Sequence, residues 1–386
     1  MRLACLLLAG ACNAAAAAPA APSKCVLVEQ GFGPSGTVPI KVETVVTGLE
    51  VPWSIGFLPD GKMLVTERPG RVRLVDGVGH GRLLGDPVAT ISSSGREEGG
   101  LLGLAVHPRF AENHLFYLYY TTEAGGRGEH NRVERWRLSD DGRSARPDKI
   151  LVDDIAAARY HDGGRLRFGP DGMLYVGTGD ATEPPRSQDL GGKNGKILRL
   201  TPDGDVPADN PWPKNPAYVM GVRNVEAFAW RDDRDSRTLL VADHGPSGEL
   251  GRRGHDEIDV ARAGQNLGWP TIYGCEEREG MVTPALTWNE AVPPGGAAVY
   301  TGKAIPEWRG SLIVGSLGSR HLHRVVFDGD RVTQHEVYLA GDAPKGRGRL
   351  REVVMGPDDE LYVTTSNCDG RGTCPPEKDA ILKITR

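Results

Sequence analysis

The sequence predicts an all-β protein, a six-bladed β-propeller, on the strength of three observations. The 386-residue chain is rich in glycine (52) and proline (28), and apolar stretches at helical spacing are nearly absent, which is typical of short strands joined by turns. A PDG or PDD turn followed by a strand recurs along the chain. A second kind of strand, with alternating basic and apolar residues, occurs six times at nearly regular spacing.

The repeated units have a period that suits propeller blades. The turn and its strand occur as LPDGKMLVTE at 58–67, GPDGMLYVGT at 169–178 and GPDDELYVTT at 356–365. The six strands of the second kind start at residues 71, 132, 196, 256, 321 and 380, which are 59 to 65 residues apart. Each unit is a small sheet that cannot bury both faces alone, so we expect the blades to stack around one axis.

One strand lies outside the six units. The segment IKVETVVTGL at 40–49 has strand character but no unit of its own. We therefore expect it to complete the last blade and close the ring. The predicted organisation is a signal peptide at 1–21, an N-terminal extension at 22–38 and a propeller at 39–386.

The N-terminus has the pattern of an export signal. Arg2 is followed by the apolar run LACLLLAG and then by alanines that offer cleavage sites between Ala16 and Ala21. The apolar run is too short to span a bilayer. We therefore predict a periplasmic or secreted protein without a membrane span. The segment LAGAC at 8–12 keeps a lipid anchor as an alternative.

The cysteines predict disulfides, and the net charge argues against one kind of partner. Removal of the signal leaves Cys25, Cys275, Cys368 and Cys374, an even number with three possible pairings. Cys368 and Cys374 flank the short loop DGRGT and are the favoured pair, which leaves Cys25 with Cys275. The net charge of −5 gives no basic footprint, so nucleic acid is not an expected partner.

A hairpin between 160 and 180 supplies the first candidate for chemistry. In YHDGGRLRFGPDGMLYVGTGD, a strand–turn–strand pattern separates His161 from Asp180. The hairpin brings its two ends together, so Asp180 is expected to contact the imidazole and fix its tautomer, which makes His161 an oriented base. Taken alone, such a pair is more often structural.

Further polar motifs are expected at the mouth of the ring, where a propeller gathers its loops. Singly, each is an ordinary turn or a solvated charge. Together, they suit a planar polyanion with a hard cation beside it, because arginine forks match carboxylates and backbone carbonyls suit Ca²⁺. The candidate residues are Glu98, Arg223, Asn224, Gly245, Pro246, Asp256, Arg349 and Arg351.

The order of these motifs resembles the soluble PQQ-dependent sugar dehydrogenases, the glucose/sorbosone and aldose sugar dehydrogenase family. The resemblance covers roughly residues 40 to 386, and that family forms a six-bladed propeller. The matching segments are His161 to Asp180, GKILRLTPDGDVPADNP at 195–211, Arg223-Asn224, Gly245-Pro246, DEI at 256–258 and NLGWP at 266–270.

The resemblance implies roles for individual residues. His161 would take the proton from the anomeric hydroxyl of an aldose while hydride passes to PQQ, and Asp180 would orient and stabilise the imidazole. Arg223 would polarise the quinone oxygen, with Asn224 beside it. Carbonyls of Gly245 and Pro246 would bind Ca²⁺. Arg349 and Arg351 would pair with PQQ carboxylates, and Asp256 is similar to a ligand of a second Ca²⁺.

Three departures from the family pattern bear on cofactor affinity. Gly318 stands where the family has a lysine, and Arg320 would substitute for it only if the loop geometry shifts. Glu98 replaces a glutamine and would repel an anionic cofactor unless it were protonated or neutralised by a cation. His244 replaces an amide or similar group before Gly245.

The predicted activity is a PQQ- and Ca²⁺-dependent aldose dehydrogenase that passes electrons to an external acceptor. Its partners would be the aldose and that acceptor, and the chain would be a monomer or homodimer. One alternative is a non-enzymatic propeller that binds sugar or protein, which the residues Gly318 and Glu98 favour. The other is a Ca²⁺-dependent lactonase, whose metal would require side-chain ligands rather than a Gly-Pro carbonyl pair.

Overall fold

The structure, a computed structural model, describes residues 25–94, 96–126, 128–231 and 238–386. The predicted signal peptide at 1–21 lies outside these residues. Six β-sheets are arranged as the blades of a propeller, which confirms the predicted fold class. In the described part of the chain, no helix has the length and apolar character needed to cross a membrane.

Short strands make up nearly all of the regular structure. In chain order they are β1 (Val26–Val28), β2 (Lys41–Leu49), β3 (Pro52–Phe57), β4 (Met63–Glu67), β5 (Arg71–Asp76), β6 (Arg82–Thr90), β7 (Leu101–Val106), β8 (Leu115–Thr122), β9 (His130–Leu138), β10 (Ala145–Ala156), β11 (Leu166–Phe168), β12 (Leu174–Gly177), β13 (Lys196–Leu200), β14 (Ala217–Met220), β15 (Val225–Trp230), β16 (Leu239–Asp243), β17 (Glu257–Ala261), β18 (Leu286–Trp288), β19 (Pro294–Val299), β20 (Leu312–Ser316), β21 (His321–Asp328), β22 (Arg331–Tyr338), β23 (Leu350–Met355), β24 (Leu361–Thr365) and β25 (Asp379–Thr385). The helical pieces are α1 (Phe110–Asn113) and the 3₁₀ turns Pro184–Gln188, Glu249–Gly251 and Pro306–Trp308.

Each blade is an antiparallel sheet of consecutive strands. The six blades are β3–β6, β7–β10, β11–β14, β15–β18, β19–β22 and β23–β25 with β2. The strand type that repeats in the sequence is the third strand of every blade, namely β5, β9, β13, β17, β21 and β25. The first strands of neighbouring blades meet around the centre, as in the contacts of β3 with β7, of β15 with β19 and of β23 with β3.

The N-terminal segments close the ring and extend one blade. Strand β2 pairs antiparallel with β25, with Val42 opposite Ile384, so the prediction for residues 40–49 is confirmed. Strand β1 lies within the predicted N-terminal extension and adds a fifth, parallel strand to the fourth blade beside β18. Both favoured disulfides are present, Cys25–Cys275 and Cys368–Cys374.

The apolar core is divided among the spaces between blades. Six clusters of buried side chains each join two neighbouring blades. Phe116 packs with Leu64 between the first and second blades, and Tyr362 packs with Val65 between the last and the first. Because burying one such side chain stabilises the fold by about 1.5–3 kcal/mol, the stacking of blades supplies the stability that a single sheet lacks.

A buried arginine ties the blades together at the centre. Arg165, just before β11, donates to the Glu226 carbonyl at 2.5 Å, to the Gly295 carbonyl at 2.7 Å and to Glu352 Oε2 at 2.6 Å. Its guanidinium lies 4.3 Å from the Trp53 ring centroid. Arg165 thus links its own blade to four others. Burial lowers its pKa to about 10. Burial alone would raise the pKa of Glu352, but nearby arginines hold it below its ordinary value.

Candidate active site

The predicted site residues all lie at one end of the ring. In an antiparallel blade, the start of the first strand, the end of the second and the start of the third share one edge. Every candidate falls at such a position. The residues before or at the start of first strands are Glu98, His161, Arg223, Asn224, Arg349 and Arg351, and those between second and third strands are Asp180, Gly245, Pro246, Asp256 and Arg320.

His161 and Asp180 form the predicted pair. The β11–β12 hairpin aligns Leu166 with Val176, and His161 Nδ1 lies 2.7 Å from Asp180 Oδ1. Trp269 Nε1 donates to the other carboxylate oxygen at 2.9 Å. Both members of the pair are buried. With its proton on Nδ1, the imidazole donates to Asp180 and presents Nε2 as the accepting nitrogen, which is the form that a general base requires.

Arg223 meets His161 through a carboxylate that the sequence reasoning missed. The Arg223 Nη2 atom donates to Glu249 Oε1 at 2.7 Å, and the same oxygen lies 3.4 Å from His161 Nε2. Burial alone would raise the pKa of Glu249, but the charge and hydrogen bond of Arg223 and backbone N–H groups hold it at about 2. Glu249 is therefore anionic and occupies the approach to the base nitrogen. The signal for it was an acidic residue in the glycine-rich stretch directly after Gly245-Pro246.

Contacts continue from Arg223 to Arg351. Arg223 Nη1 donates to the His244 carbonyl at 3.4 Å, and His244 Nε2 lies 3.9 Å from Glu226 Oε1. The other Glu226 oxygen accepts a hydrogen bond from Arg351 Nη1. The imidazole of His161 and the guanidinium groups of Arg223 and Arg351 thus belong to one network of contacts.

Arg349 and Arg351 share an acidic partner. Arg349 Nε donates to Asp369 Oδ2 at 2.8 Å, and Arg351 Nη2 lies 3.8 Å from the same oxygen. Arg68, which the sequence reasoning did not select, donates to the Asp369 carbonyl at 3.4 Å. Burial lowers the pKa of Arg68, and the nearby charge of Arg351 adds to that effect. Three arginines therefore converge on one residue.

Glu98 has a cationic partner, Arg371. Its Oε2 accepts the His161 backbone N–H at 2.9 Å, and its Oε1 accepts a hydrogen bond from Arg371 Nη1 at 3.1 Å. Burial alone would raise its pKa, but that N–H and the charges of His244 and Arg371 hold the pKa below its ordinary value. Glu98 therefore stays charged beside the base with a cation of its own.

The structure places Arg320 differently from the other candidates. Its Nη1 atom pairs with Asp342 at 2.5 Å, and both side chains are exposed. Among the contacts of the described residues, none joins Arg320 to the network of Arg223 and Arg351. Packing also favours glycine at position 318, because a Cβ there would lie 3.0 Å from Pro293 Cγ. Proline packing leaves little room for the lysine of the family pattern.

Asn224 and the Gly-Pro turn brace the site. Asn224 Oδ1 accepts the Gly163 N–H at 2.8 Å and so supports the loop that carries His161. The Asp256 carboxylate accepts N–H groups from Gly245 at 3.0 Å and from Val292 at 2.6 Å. Asp256 thus fixes the backbone of the Gly245-Pro246 turn. Its pKa is raised by burial.

The donor set fits a polyanionic cofactor better than a metal held by side chains. Within the described residues, no group of three or more His, Cys, Asp or Glu side chains is arranged to hold a metal ion. The Gly245-Pro246 turn offers only backbone carbonyls, so most of the six to eight oxygens that Ca²⁺ takes would come from water and a bound molecule. The buried Arg349 and Arg351 suit ligand carboxylates.

Comparisons with known proteins show the family of the chain. The sequence profile of the Glucose / Sorbosone dehydrogenase family matches residues 49–376. Aldose sugar dehydrogenase YliI of Escherichia coli K12 is 30% identical over 354 residues, covering 86% of this chain and 91% of that protein. Quinoprotein glucose dehydrogenase B of Acinetobacter calcoaceticus is 24% identical over 84% of each chain.

A solved structure extends the similarity to three dimensions. The PQQ-bound aldose sugar dehydrogenase of Streptomyces coelicolor superposes with a TM-score of 0.79 at 33% identity, covering 92% of this chain and 99% of that chain. The match spans all six blades. The chain therefore belongs to the glucose/sorbosone dehydrogenase family.

Proposed function

We propose that the protein is an exported aldose dehydrogenase that oxidises the anomeric hydroxyl to a lactone, with PQQ and Ca²⁺ as cofactors and an external electron acceptor. The observation that carries the proposal is the meeting of His161 Nε2 and Arg223 Nη2 at one anionic oxygen, 3.4 Å and 2.7 Å away. A base and a fixed cation across one small space are what hydride removal from a hydroxyl carbon requires.

The residues divide the work. His161 accepts the hydroxyl proton at Nε2, and Asp180 stabilises the imidazolium that results. Bound PQQ would supply the hydride acceptor. Arg223 would favour negative charge on the bound quinone, and Arg349 and Arg351 would hold its carboxylates.

The calcium proposal rests on the Gly245-Pro246 turn. Asp256 holds this turn in place, so its carbonyls are available as hard oxygen ligands. The PQQ-bound relative and the relative called a quinoprotein support PQQ. The export signal, the N-terminal extension at 22–38 and the two disulfides support a periplasmic or secreted protein.

One observation favours a second candidate, a propeller that binds without catalysis. Glu249 occupies the approach to His161 Nε2, and a substrate hydroxyl must come within about 2.6–3.2 Å of that nitrogen. If Glu249 never leaves, then the base is blocked. Catalysis therefore requires the Glu249 side chain to release Arg223 and His161.

A reconstitution assay separates the two candidates. Purified protein is incubated with PQQ and CaCl₂, uptake is followed by absorbance, and dye reduction is measured with a panel of aldoses. We expect uptake and sugar-dependent dye reduction in the wild type. His161→Gln should keep the uptake and lose about 10²–10⁴-fold in rate.

The control for this assay is His80→Gln, which changes an exposed histidine and should leave the rate unchanged. PQQ uptake without dye reduction for any sugar would favour the binding propeller. No uptake at all would contradict the proposed cofactor.

A further inference from the structure

A seven-residue loop closed by a disulfide contacts both halves of the site. One half contains Arg349 and Arg351, and the other contains His161 and Glu98. Cys368 and Cys374 bracket the loop, which lies between β24 and β25. Asp379 anchors its base by accepting the N–H groups of Asn367 at 2.6 Å and Cys368 at 3.1 Å. The residues between the two cysteines include one buried acid and one cation that face the site.

The acid organises the arginine half. Asp369 is only 2% exposed, and its Oδ2 accepts hydrogen bonds from Arg349 Nε at 2.8 Å and Ser366 Oγ at 3.2 Å. Burial alone would raise its pKa, but Arg349 and Arg351 hold it below the ordinary value. The loop also packs directly on this half, since a Cβ on Gly372 would lie 2.8 Å from Arg349 Cδ.

The cation organises the half that holds the base. Arg371 pairs with Glu98 at 3.1 Å and with Glu97 at 3.6 Å, and its guanidinium lies 5.6 Å from the Tyr160 ring centroid. Glu98 in turn accepts the backbone N–H of His161 at 2.9 Å. One short loop therefore contacts both Arg349 and Glu98, the partner of His161.

We propose that the Cys368–Cys374 loop is a positioning element of the cofactor site, and that its disulfide keeps Asp369 beside Arg349 and Arg371 beside Glu98. The inference rests on the proposed PQQ-dependent function. Without the bond, the exposed glycine-rich loop gains conformational freedom that must be lost again when the arginines are fixed around a ligand. Opening the loop should therefore weaken binding of a polyanionic cofactor.

The bond is accessible to chemistry. Cys374 is exposed, and Cys368 is half-buried. A dithiol such as dithiothreitol would deliver two electrons and two protons, leaving two free thiols and its own cyclic disulfide. The chain also contains a built-in control, because Cys25–Cys275 joins the start of the N-terminal strand to a separate loop, at a sequence separation of 250.

The test compares two double variants in an equilibrium titration with PQQ in CaCl₂. We expect Cys368→Ser with Cys374→Ser to raise the dissociation constant about tenfold. Cys25→Ser with Cys275→Ser should leave it within about twofold. Circular dichroism and thermal unfolding identify variants that remain folded. Treatment of the Cys25→Ser/Cys275→Ser variant with dithiothreitol, which is removed before PQQ is added because a quinone oxidises thiols, should weaken PQQ binding, and prior reoxidation should restore it.

A second variant tests the charge rather than the bond. Arg371→Gln leaves the charge of Glu98 uncompensated beside the site, where it repels an anionic cofactor. The dissociation constant for PQQ should therefore rise, and Arg371→Lys, which keeps the charge, should restore it. A role that depended only on the packing of the guanidinium would not be restored by lysine.

The outcomes separate the two levels of inference. Wild-type protein that takes up no PQQ would overturn the proposed function and this inference with it. Normal uptake by the wild type, with equal affinity in the folded Cys368→Ser/Cys374→Ser variant, would overturn only the role of the loop. An unchanged dissociation constant for PQQ in Arg371→Gln would likewise count against it.

Discussion

Two arginine–carboxylate pairs of the propeller have nearly equal distances but different surroundings. Arg165 and Glu352 lie 2.6 Å apart with both side chains 0% exposed, whereas Arg223 and Glu249 lie 2.7 Å apart with Glu249 26% exposed. Arg165 also donates to the backbones of two further blades. The comparison shows that burial, rather than the N–O distance, distinguishes a structural ion pair from one that a ligand can displace.

The setting of Glu249 makes exchange feasible. Glu249 lies in a short 3₁₀ turn between Gly248 and Leu250, both with positive φ, and Leu250 is 64% exposed. Few packing contacts therefore have to break when this segment moves. Glu352, by contrast, lies within β23 and also binds Arg167. We infer that ligand binding replaces the pair at the mouth and leaves the central pair intact.

The largest expected effect comes from breaking the central pair. Glu352→Gln leaves Arg165 buried without its countercharge, so the free energy of unfolding should fall by about 3 kcal/mol or more. Urea denaturation measures this change. Glu307→Gln, which breaks the exposed pair with Arg386, should lower the free energy of unfolding far less, because solvent screens that pair. Equal losses for the two variants would contradict the structural role of the central pair.

Breaking the pair at the mouth should act on binding. Glu249→Gln removes a negative charge that competes with an anionic cofactor for Arg223, so we expect the dissociation constant for PQQ to fall about tenfold. A titration in CaCl₂ measures it. Weaker binding would show instead that Glu249 helps to hold the cofactor.

A fall in pH should break the ion pair between Arg223 and Glu249. The pKa of Glu249 is about 2 in the folded protein, below its ordinary value of 4.5. The ion pair with Arg223 therefore stabilises the fold fully above pH 4.5 and loses that contribution as the pH falls from 4.5 towards 2. Unfolding free energies measured across this range should converge for the wild type and Glu249→Gln. A constant difference between them would contradict the assigned pKa.

The smallest effect is expected at Arg320. Both side chains of its ion pair with Asp342 are exposed. Exposed pairs of this kind contribute about 0–1 kcal/mol to the free energy of unfolding. Arg320→Gln should change the dissociation constant for PQQ by less than about twofold. A loss of tenfold or more would instead support the substitution for the missing lysine that the motif comparison suggested.

The fold was predictable because local turn residues and a periodic strand pattern in the sequence indicate it. The alternating third strands recur in every blade, and the hairpin after His161 has its turn residues at 170–172. The unassigned strand at 40–49 could only pair with an open edge, and it does so with β25. The disulfide partners followed from the even number of cysteines and the short DGRGT loop.

The partners within the site were only partly predictable. His161 and Asp180 are joined by a hairpin, so their contact follows from local structure. Glu249 and Arg371 come from irregular loops, and no periodicity indicates where such side chains point. Gly318 had a similar limit, since its packing against Pro293 depends on a contact between two loops of one blade.

The most direct test of the exchangeable mouth is a parallel PQQ titration of the wild type and Arg349→Gln in CaCl₂. Arg351 remains beside Asp369 in this variant, so folding should be preserved. We predict one saturable site per chain in the wild type and about tenfold weaker binding in Arg349→Gln. Equal binding by the two proteins, or no binding by the wild type, would contradict a cofactor site built from these arginines.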